Sequence, residues 1–487
     1  MTDKKHIHLI GICGTAMASL AGMLNERGLR VTGSDNAAYP PMSNFLASLG
    51  IPVAQPFAAA NITPRPDLVV VGNAISRGNV ELEHVLDERI PFCSLPQILH
   101  DEFLRGKEVL VVAGTHGKTT TTSMLSWIFH SAGLHPSFLI GGIAENFGSS
   151  FALGKGKHFI LEGDEYDTAF FDKGPKFLHY FPDGVILTSV EFDHADIYED
   201  LDAVETSFKR LVNLVPRRGR IVAFDTGESV ARCIAKAFCP TERYGSRENS
   251  EWRITDLRFQ TSKTTWSVHR NGTPWADFEF DLGGEYNVCN ATAAAAMATA
   301  YGISREQIQK ALKTFKSVKR RLEVKARMNG VTIIDDFAHH PTAIAGTLTA
   351  LRSRYPGSRL WVILEPRSNT LRRNVFQHEL ANSLALADEI IVAAVFKSDA
   401  IPQAERLDLM AVAADLESRG KRVRIISGAD GIVQVIAPEF RAGDVVAILS
   451  NGGFDGIYDK LPARLKALTS GSSVSGSQNP LGASAKA

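Results

Sequence analysis

Cysteine is scarce in this 487-residue sequence. The five present (Cys13, Cys93, Cys233, Cys239, Cys289) are odd in number, scattered, and include no C-x-x-C pair. That argues against a disulfide framework and a thiolate zinc site, and it suits a reducing compartment. Also missing is any apolar run approaching the roughly 20 residues that cross a bilayer. Excess charge is lacking too: 53 basic and 53 acidic residues leave a formal charge of +0. A dedicated nucleic-acid or membrane-surface partner is therefore not expected. The basic pieces Arg217-Arg218 and Lys319-Arg320-Arg321 are short and read as solvated faces. The start, Met1 to Ile10, sets charged residues before apolar ones, but the apolar part is short and enters a turn at Gly11. A first β-strand is the better reading than a signal peptide, and the protein is expected to be cytoplasmic.

What is present is ordinary globular composition, 44% hydrophobic and 22% charged, in a chain too long for one hydrophobic core. Strand and helix patterns alternate along it, which predicts an α/β protein of three units in a row. Residues 1–106 carry strands at His6–Ile10, Leu29–Thr32 and Leu68–Val71, a helix at Met17–Glu26, and the look of a nucleotide-binding Rossmann-like unit. Residues 107–320 carry strands at His158–Leu161 and Val185–Thr188, a β-rich piece near 252–281, and the alanine-rich helix Asn290–Tyr301. Residues 321–469 alternate again, with strands at Val331–Ile334, Leu360–Leu364, Glu389–Ala393, Val423–Ile426 and Asp444–Leu449 and helices at Thr342–Arg354 and Asn374–Leu386. The Ser, Gly and Ala tail at 470–487 has no apolar period and is expected to be disordered.

The strongest motif opens the second unit. After the apolar run Val109–Val112 come Gly114-Thr115-His116-Gly117-Lys118-Thr119-Thr120, then a helical pattern through Trp127 and Phe129. Backbone N–H groups of such a turn, with the positive end of the following helix, cradle phosphate. Lys118 adds a cation for the β- and γ-phosphates, and the Thr119 hydroxyl is placed to hold Mg²⁺. The common form, G-x-x-x-x-G-K followed by Ser or Thr, needs a glycine where this chain has Val112, so the loop is a shorter variant. His116 is either a ligand contact or a structural histidine packed on the turn.

Two acidic clusters each follow an apolar strand: Glu162-Gly-Asp164-Glu165-Tyr-Asp167, and Glu191-Phe-Asp193-His194-Ala-Asp196. Carboxylates and a histidine at strand ends near a phosphate loop can hold divalent metal between phosphates and substrate. Single acids are more often solvated loop residues, but Glu162 and His194 directly follow buried-strand patterns. In the first unit, Gly11-Ile-Cys-Gly14-Thr15-Ala-Met17 with Asp35 imitates a dinucleotide fingerprint. Cys13 and Ala16 stand where its second and third glycines belong. A plain tight turn explains it as well as a binding loop does.

In order along the chain, the phosphate loop, the Glu162 cluster, Glu191-x-Asp-His194, Gly284-Glu-Tyr-Asn287-x-x-Asn290, Arg320-Arg321-Leu-Glu323 and Asp335-Asp336-Phe-Ala-His339-His340-Pro341 occur together. This set resembles the Mur ligase superfamily, the ATP-dependent amide-forming enzymes of bacterial peptidoglycan synthesis, over nearly the whole chain apart from the tail. Within it, Gly11-Ile-Cys-Gly-Thr, Gly141 to Gly148, Glu162 to Lys173, Glu191 to Asp196 and Glu365-Pro-Arg-Ser-Asn-Thr370 look most like the branch that adds a whole tripeptide. The alternative is the branch that adds L-alanine.

The resemblance implies a three-domain Mur ligase architecture: Rossmann-like, P-loop ATPase, Rossmann-like. It implies that the lactyl carboxylate of UDP-N-acetylmuramate attacks the γ-phosphate of ATP, and that the amine of L-alanyl-γ-D-glutamyl-meso-diaminopimelate then attacks the acyl phosphate. Lys118 and Arg321 would supply fixed cations. Thr119 and Glu162 would hold one Mg²⁺ and His194 would help hold a second. Asn287 and Asn290 would face adenine, with helix capping as the competing reading, and Asp336 would contact ribose. His339 or His340 would orient or deprotonate the amine. Arg367, Arg372 and Arg373 would pair with peptide carboxylates unless they are surface arginines. Gly11, Gly14, Thr15, Asp35, Asn73 and Ser76 would bind the UDP part.

Lys209 lies fifteen residues after His194, where some superfamily members carry a carbamylated lysine, though an exposed helix lysine is favoured. Closure of the units on substrate is expected, with hinges near residues 106 and 320. The protein is expected to act as a monomer or weak homo-oligomer. A nicotinamide oxidoreductase is disfavoured by the missing glycines, and a noncatalytic nucleotide sensor by the full set Lys118, Glu162, His194 and Arg321.

Overall fold

A computed structural model describes residues 4–38 and 42–472, with side chains to residue 468. The expected disordered tail lies outside the described residues from 473 on, and the backbone of the last helix runs to Ser472.

The chain begins with β1 (His6–Ile10), α1 (Thr15–Glu26), β2 (Arg30–Ser34), α2 (Met42–Ser48), β3 (Val53–Ala54), β4 (Leu68–Val71), α3 (Val80–Asp87), β5 (Phe92–Ser94) and α4 (Leu95–Leu99). The strands form a parallel sheet in the order β3-β2-β1-β4-β5, so the chain reverses its direction of winding between β1 and β4. Loops after those two strands splay apart there, and ligands of open α/β sheets bind in that crevice.

Next come β6 (Glu108–Ala113), α5 (Lys118–Ser131), β7 (Ser137–Ala144), β8 (Ser149–Ala152), β9 (His158–Gly163), β10 (Asp167–Ala169), β11 (Asp172–Pro175), β12 (Gly184–Leu187), α6 (Leu201–Leu214), β13 (Arg220–Phe224), α7 (Glu228–Ile234), β14 (Thr241–Gly245), β15 (Trp252–Phe259), β16 (Thr264–Arg270), β17 (Thr273–Phe280), α8 (Glu285–Ala300) and α9 (Arg305–Lys313). Ten of these strands form one sheet, ordered β17-β16-β15-β14-β13-β12-β6-β9-β7-β8, and β10 and β11 form a separate two-stranded sheet. The decisive feature is the position of β6, which is paired in parallel with β12 on one side and β9 on the other. Val112 lies opposite Glu162 and Ala113 opposite Leu187, so both acidic clusters leave the sheet beside the phosphate loop.

The last stretch holds β18 (Glu323–Met328), β19 (Val331–Asp336), α10 (Pro341–Arg354), β20 (Leu360–Leu364), α11 (Gln377–Leu384), β21 (Glu389–Ala393), α12 (Leu409–Ser418), β22 (Arg422–Ile426), α13 (Ala429–Ile436), β23 (Val445–Leu449) and α14 (Ile457–Ser472). Its sheet runs β18-β19-β23-β20-β21-β22, parallel except for the edge strand β18. β20, β21 and β23 are nearly continuous apolar residues, as strands covered by helices on both faces must be, and β19 is apolar up to Ile334 apart from Thr332.

Two compact units result. One holds the described residues up to Arg258 with Lys263–Leu282 and Tyr286–Lys319; the other holds Phe259–Ser262, Gly283–Glu285 and the described residues from Arg320 on. In the first unit, the five-stranded and ten-stranded sheets share one hydrophobic core. Ser19 and Ser150 hydroxyls lie 2.8 Å apart across it, and the Phe45 and Phe151 rings meet edge to face at 6.2 Å. A Cβ on Gly22 would stand 2.8 Å from the Phe151 ring, so glycine here lets α1 reach the second sheet.

Candidate active site

The loop between β6 and α5 needs glycine at two positions. Gly114 has φ +132°, and a Cβ on it would lie 2.2 Å from the Thr188 hydroxyl oxygen and 2.7 Å from the Ser189 nitrogen. Gly117 has φ +82° and caps α5. The loop is stitched to the segment after β12. The Thr115 N–H donates to the Ser189 carbonyl at 2.9 Å, the His116 N–H to the Ser189 hydroxyl at 3.0 Å, and the Glu191 N–H to the Thr115 hydroxyl at 2.8 Å. His116 Nε2 stands 3.4 Å from the Glu191 carboxylate, so this histidine also ties the two loops together. The first turn of α5 has no intrahelical acceptors for its N–H groups, which makes this end of the helix an anion site.

Around the helix start, the predicted acids and histidine converge. The Thr119 hydroxyl donates to Glu162 Oε2 at 3.2 Å, and the Gly141 N–H donates to Glu162 Oε1 at 2.6 Å. A hydroxyl beside a carboxylate is the hard-oxygen donor set that Mg²⁺ prefers, so these residues fit that ion. Lys118 Nζ donates to the Gly114 carbonyl at 2.6 Å and to the two oxygens of Glu165 at 3.0 and 2.8 Å. Glu165 Oε1 also lies 3.0 Å from His194 Nε2. Asp164 pairs with Lys176 at 2.6 Å.

These charges survive burial because they are paired. Burial works against the charge on Lys118, yet Glu165 and Asp164 hold its pKa above the ordinary lysine value. Burial likewise opposes ionisation of Asp164, but Lys176 and Lys118 more than offset it and take the carboxyl down to about 2. Glu165 is held below the usual range by Lys118 and His194 against the same burial, and Glu165 raises His194 against it. Glu165, Lys176 and Tyr198 were not singled out from sequence. Glu165 sits inside the quoted acidic cluster, and Lys176 ends the run Asp172-Lys-Gly-Pro-Lys176, which gave no periodic signal.

On the far side of the loop, Asn287 and Asn290 lie near the start of α8, each 5% exposed. Asn290 Oδ1 is 2.6 Å from where a Cβ on Gly117 would stand, and its buried Nδ2 has no hydrogen-bond partner among the described residues. Lys209 projects from α6 to pair with Glu205 at 3.0 Å and is 43% exposed. Glu205 is buried beneath it and also takes Arg232, so the lysine belongs to a surface ion-pair network.

In the five-stranded sheet, Gly11 (φ +81°) turns the chain after β1, and its N–H donates to the Ser34 carbonyl. The Cys13 N–H donates to Asp35 Oδ2 at 2.9 Å. Gly14, Asn73 and Ser76 are exposed in the turns that follow β1 and β4, and Thr15 is exposed as the first residue of α1, at the crevice described above.

The second unit carries the remaining predicted residues. Arg320 and Arg321 both lie over the Phe337 ring, at 5.3 and 5.2 Å. Arg320 also donates to Asp335 at 3.1 Å, to the Ser450 carbonyl at 2.7 Å and to the Tyr458 hydroxyl at 2.8 Å. Asp336 accepts the N–H groups of Leu322 and Ala338 and the Thr347 hydroxyl, and burial raises its pKa against the pull of Arg321. His340 Nδ1 accepts the Thr342 N–H and so caps α10, whereas His339 Nδ1 donates to the Phe337 carbonyl at 3.0 Å. Arg367 lies 3.8 Å over the Phe396 ring and 3.3 Å from Glu365, Arg372 donates to Asn369 at 2.6 Å, and Arg373 pairs with Glu405.

Comparison with known proteins fits this arrangement. Three family models match in sequence: Mur ligase family, catalytic domain, over residues 6–105; Mur ligase middle domain over 112–298; and Mur ligase, glutamate ligase domain, over 320–452. The chain is 40% identical over 464 residues to the UDP-N-acetylmuramate–L-alanyl-γ-D-glutamyl-meso-2,6-diaminoheptandioate ligase of Haemophilus influenzae, covering 95% of this chain and 99% of that one. It is 42% identical over 456 residues to the Escherichia coli protein of the same name, covering 93% and 97%. A crystal structure of a murein peptide ligase from Psychrobacter arcticus superposes with a TM-score of 0.72 at 37% identity, covering 94% of this chain and 98% of that one. Proteins named UDP-N-acetylmuramate–L-alanine ligases match at 31 to 33%. With three domain models in order and relatives of this identity along nearly its whole length, the chain belongs to the Mur ligase family.

Proposed function

We propose that this protein joins the lactyl carboxylate of UDP-N-acetylmuramate to the α-amine of L-alanyl-γ-D-glutamyl-meso-diaminopimelate, with ATP converted to ADP and phosphate, in the recycling of peptidoglycan peptides. The observation that carries the reading is the junction of Lys118, Glu165 and His194 with the Thr119–Glu162 pair at one helix N-terminus. The choice of acceptor rests on the 40–42% identity to ligases named for it. A cytoplasmic site of action goes with these substrates.

A carboxylate is a poor electrophile, so it must be activated before an amine can attack. The approach of a carboxylate to ATP brings two anions together, and fixed cations lower that barrier most. Lys118, turning a donor from the Gly114 carbonyl to the nucleotide while Glu165 keeps hold of the ammonium, neutralises the γ-phosphate as the lactyl oxygen attacks phosphorus and ADP departs. Thr119 and Glu162 would hold one Mg²⁺ and His194 would help hold a second, and these ions would supply further neutralisation of the meeting anions. Asn287 and Asn290 take the adenine edge. The turns carrying Gly11, Gly14, Thr15, Asp35, Asn73 and Ser76 bind the UDP group. Arg321 and Asp336 are assigned to the nucleotide, and Arg367 and Arg372 to peptide carboxylates, by family resemblance. The amine then attacks the acyl carbon, phosphate leaves with the oxygen it acquired, and the amine proton is lost. His339, whose Nδ1 donates to a carbonyl and leaves Nε2 as the basic nitrogen, suits that last role better than His340.

The test is isotopic. UDP-N-acetylmuramate labelled with ¹⁸O in its lactyl carboxylate, supplied with ATP, Mg²⁺ and tripeptide, should yield one ¹⁸O in the released phosphate for each amide formed. Unlabelled phosphate accompanying amide product would rule out the acyl phosphate route.

A further inference from the structure

We propose that Glu165 is the positioning residue of the catalytic centre: one carboxylate that fixes both the ammonium of Lys118 and the imidazole of His194, and leaves Nδ1 of His194 as the nitrogen that would bind metal. The inference deepens the ligase reading and rests on it for the role given to His194.

Glu165 lies in the turn between β9 and β10 and is 2% exposed. Its Oε1 is 3.0 Å from His194 Nε2 and 3.0 Å from Lys118 Nζ, and its Oε2 is 2.8 Å from the same ammonium. The turn is held in place, because the Tyr198 hydroxyl donates to the Glu165 carbonyl at 2.7 Å. The Tyr166 ring packs against the imidazole at a tilt of 54°, with centroids 4.1 Å apart, on a backbone at φ +57° that disfavours most residues.

An ionised carboxylate only accepts hydrogen bonds, so the nitrogen facing it must carry the proton. That makes Nε2 the N–H of neutral His194 and leaves the Nδ1 lone pair for a ligand. A carboxylate behind a histidine in this way orients the ring and raises its basicity toward a metal. The same carboxylate holds the phosphate-loop lysine, so a single side chain sets the spacing of two groups that serve the γ-phosphate. Glutamine cannot replace it. Its oxygen could stand in for Oε1 and accept from both partners, but its NH₂ would then point a donor at the Lys118 ammonium where Oε2 now accepts, and the negative charge that holds the ammonium would be gone. Aspartate lacks the reach to touch both.

The experiment has two arms on the full-length protein. In the first, the ring nitrogens of ¹⁵N-histidine-labelled wild type are recorded without substrate at alkaline pH, with His194 assigned by its loss in His194→Gln. The Nε2–H tautomer is expected; an Nδ1–H tautomer overturns the proposal. In the second, Glu165→Gln should raise the half-saturating Mg²⁺ concentration for product formation by about 10- to 100-fold. It should lower kcat and leave KM for UDP-N-acetylmuramate within about twofold, and Glu165→Asp should not restore the Mg²⁺ dependence. Wild-type Mg²⁺ dependence in a folded Glu165→Gln protein also overturns it. The ring spectrum needs neither a variant at Glu165 nor turnover, so it decides even if Glu165→Gln does not fold. Wild type that makes no amide would count against the ligase reading, while the tautomer of His194 would still decide the proposal.

Discussion

Asn290 Oδ1 stands 2.6 Å from the place a Cβ on Gly117 would take, so the helix that carries the asparagine closes directly onto the phosphate loop. Gly117 also has φ +82°. Gly117→Ala therefore meets two penalties: a left-handed backbone that costs an L-residue about 1–2 kcal/mol, and a clash with a buried amide. We expect a lower melting temperature and a raised KM for ATP. Adding Asn290→Ala should relieve the clash without restoring ATP affinity. Differential scanning fluorimetry with and without ATP separates the two effects, and a Gly117→Ala protein with wild-type stability and KM would refute the assignment.

Adjacent arginines are expected to divide structure from function. Arg320 holds Asp335, which is 1% exposed, together with the Ser450 carbonyl and the Tyr458 hydroxyl. Arg320→Met leaves that carboxylate with Lys325 at 3.7 Å as its remaining cation among the described residues and should destabilise the second unit by about 1–3 kcal/mol. Arg321→Met should leave chemical denaturation within about 0.5 kcal/mol of wild type while lowering kcat about 10²- to 10³-fold. Reversal of the two outcomes would show that the roles had been exchanged.

His8 gives the first unit a defined acid sensitivity. It is 1% exposed, with its ring nitrogens on the Thr32 and Ser34 hydroxyls, Glu81 at 4.0 Å and His6 sharing Thr32. Burial, then His6, pushes its pKa down to about 4. The folded protein thus binds this proton less readily than the unfolded chain, whose histidine titrates near 6.5. The stabilisation is complete above about pH 6.5, shrinks as pH falls, and is gone below about pH 4, a change of about 3 kcal/mol. Urea midpoints measured from pH 7 to 4 should fall less steeply for His8→Gln than for wild type; equal slopes would contradict this.

Lys209 should be dispensable for metal. It is half-exposed and paired with Glu205 one helical turn away. Lys209→Ala is expected to change stability by less than about 1 kcal/mol and to leave both the Mg²⁺ requirement and the response to bicarbonate unchanged. A loss of activity rescued by a short-chain carboxylic acid would instead reveal a carbamylated lysine.

Much of the fold and the site was legible in the sequence, for physical reasons that also mark the limits. Strands such as Leu68–Val71, Leu360–Leu364 and Glu389–Ala393 have the bounds expected of them, because parallel strands covered on both faces must be continuously apolar. The hairpin Ser137–Ala152 was not visible. Its strand is interrupted by Gly141-Gly142, which lie where the backbone approaches Glu162 and a Cβ would stand 3.0 Å or less from a neighbour. The helix expected at Asn374–Leu386 begins as a 3₁₀ turn to Phe376 and becomes α-helical only at Gln377. Lys118, Thr119, Glu162 and His194 could be named early because each follows a buried strand or a glycine turn. Glu165 could not, since nothing in one cluster of acids tells which carboxylate turns inward. That selection is made by β9 lying beside β6 and by a lysine and a histidine more than 25 residues away on either side.

The central claim is the acceptor. Purified protein with UDP-N-acetylmuramate, ATP and Mg²⁺ should be given equal concentrations of L-alanine and L-alanyl-γ-D-glutamyl-meso-diaminopimelate, and the nucleotide products resolved by mass spectrometry. UDP-N-acetylmuramoyl-tripeptide is expected as the dominant product, with ATP consumption that depends on tripeptide and not on L-alanine. UDP-N-acetylmuramoyl-L-alanine as the dominant product would contradict the claim.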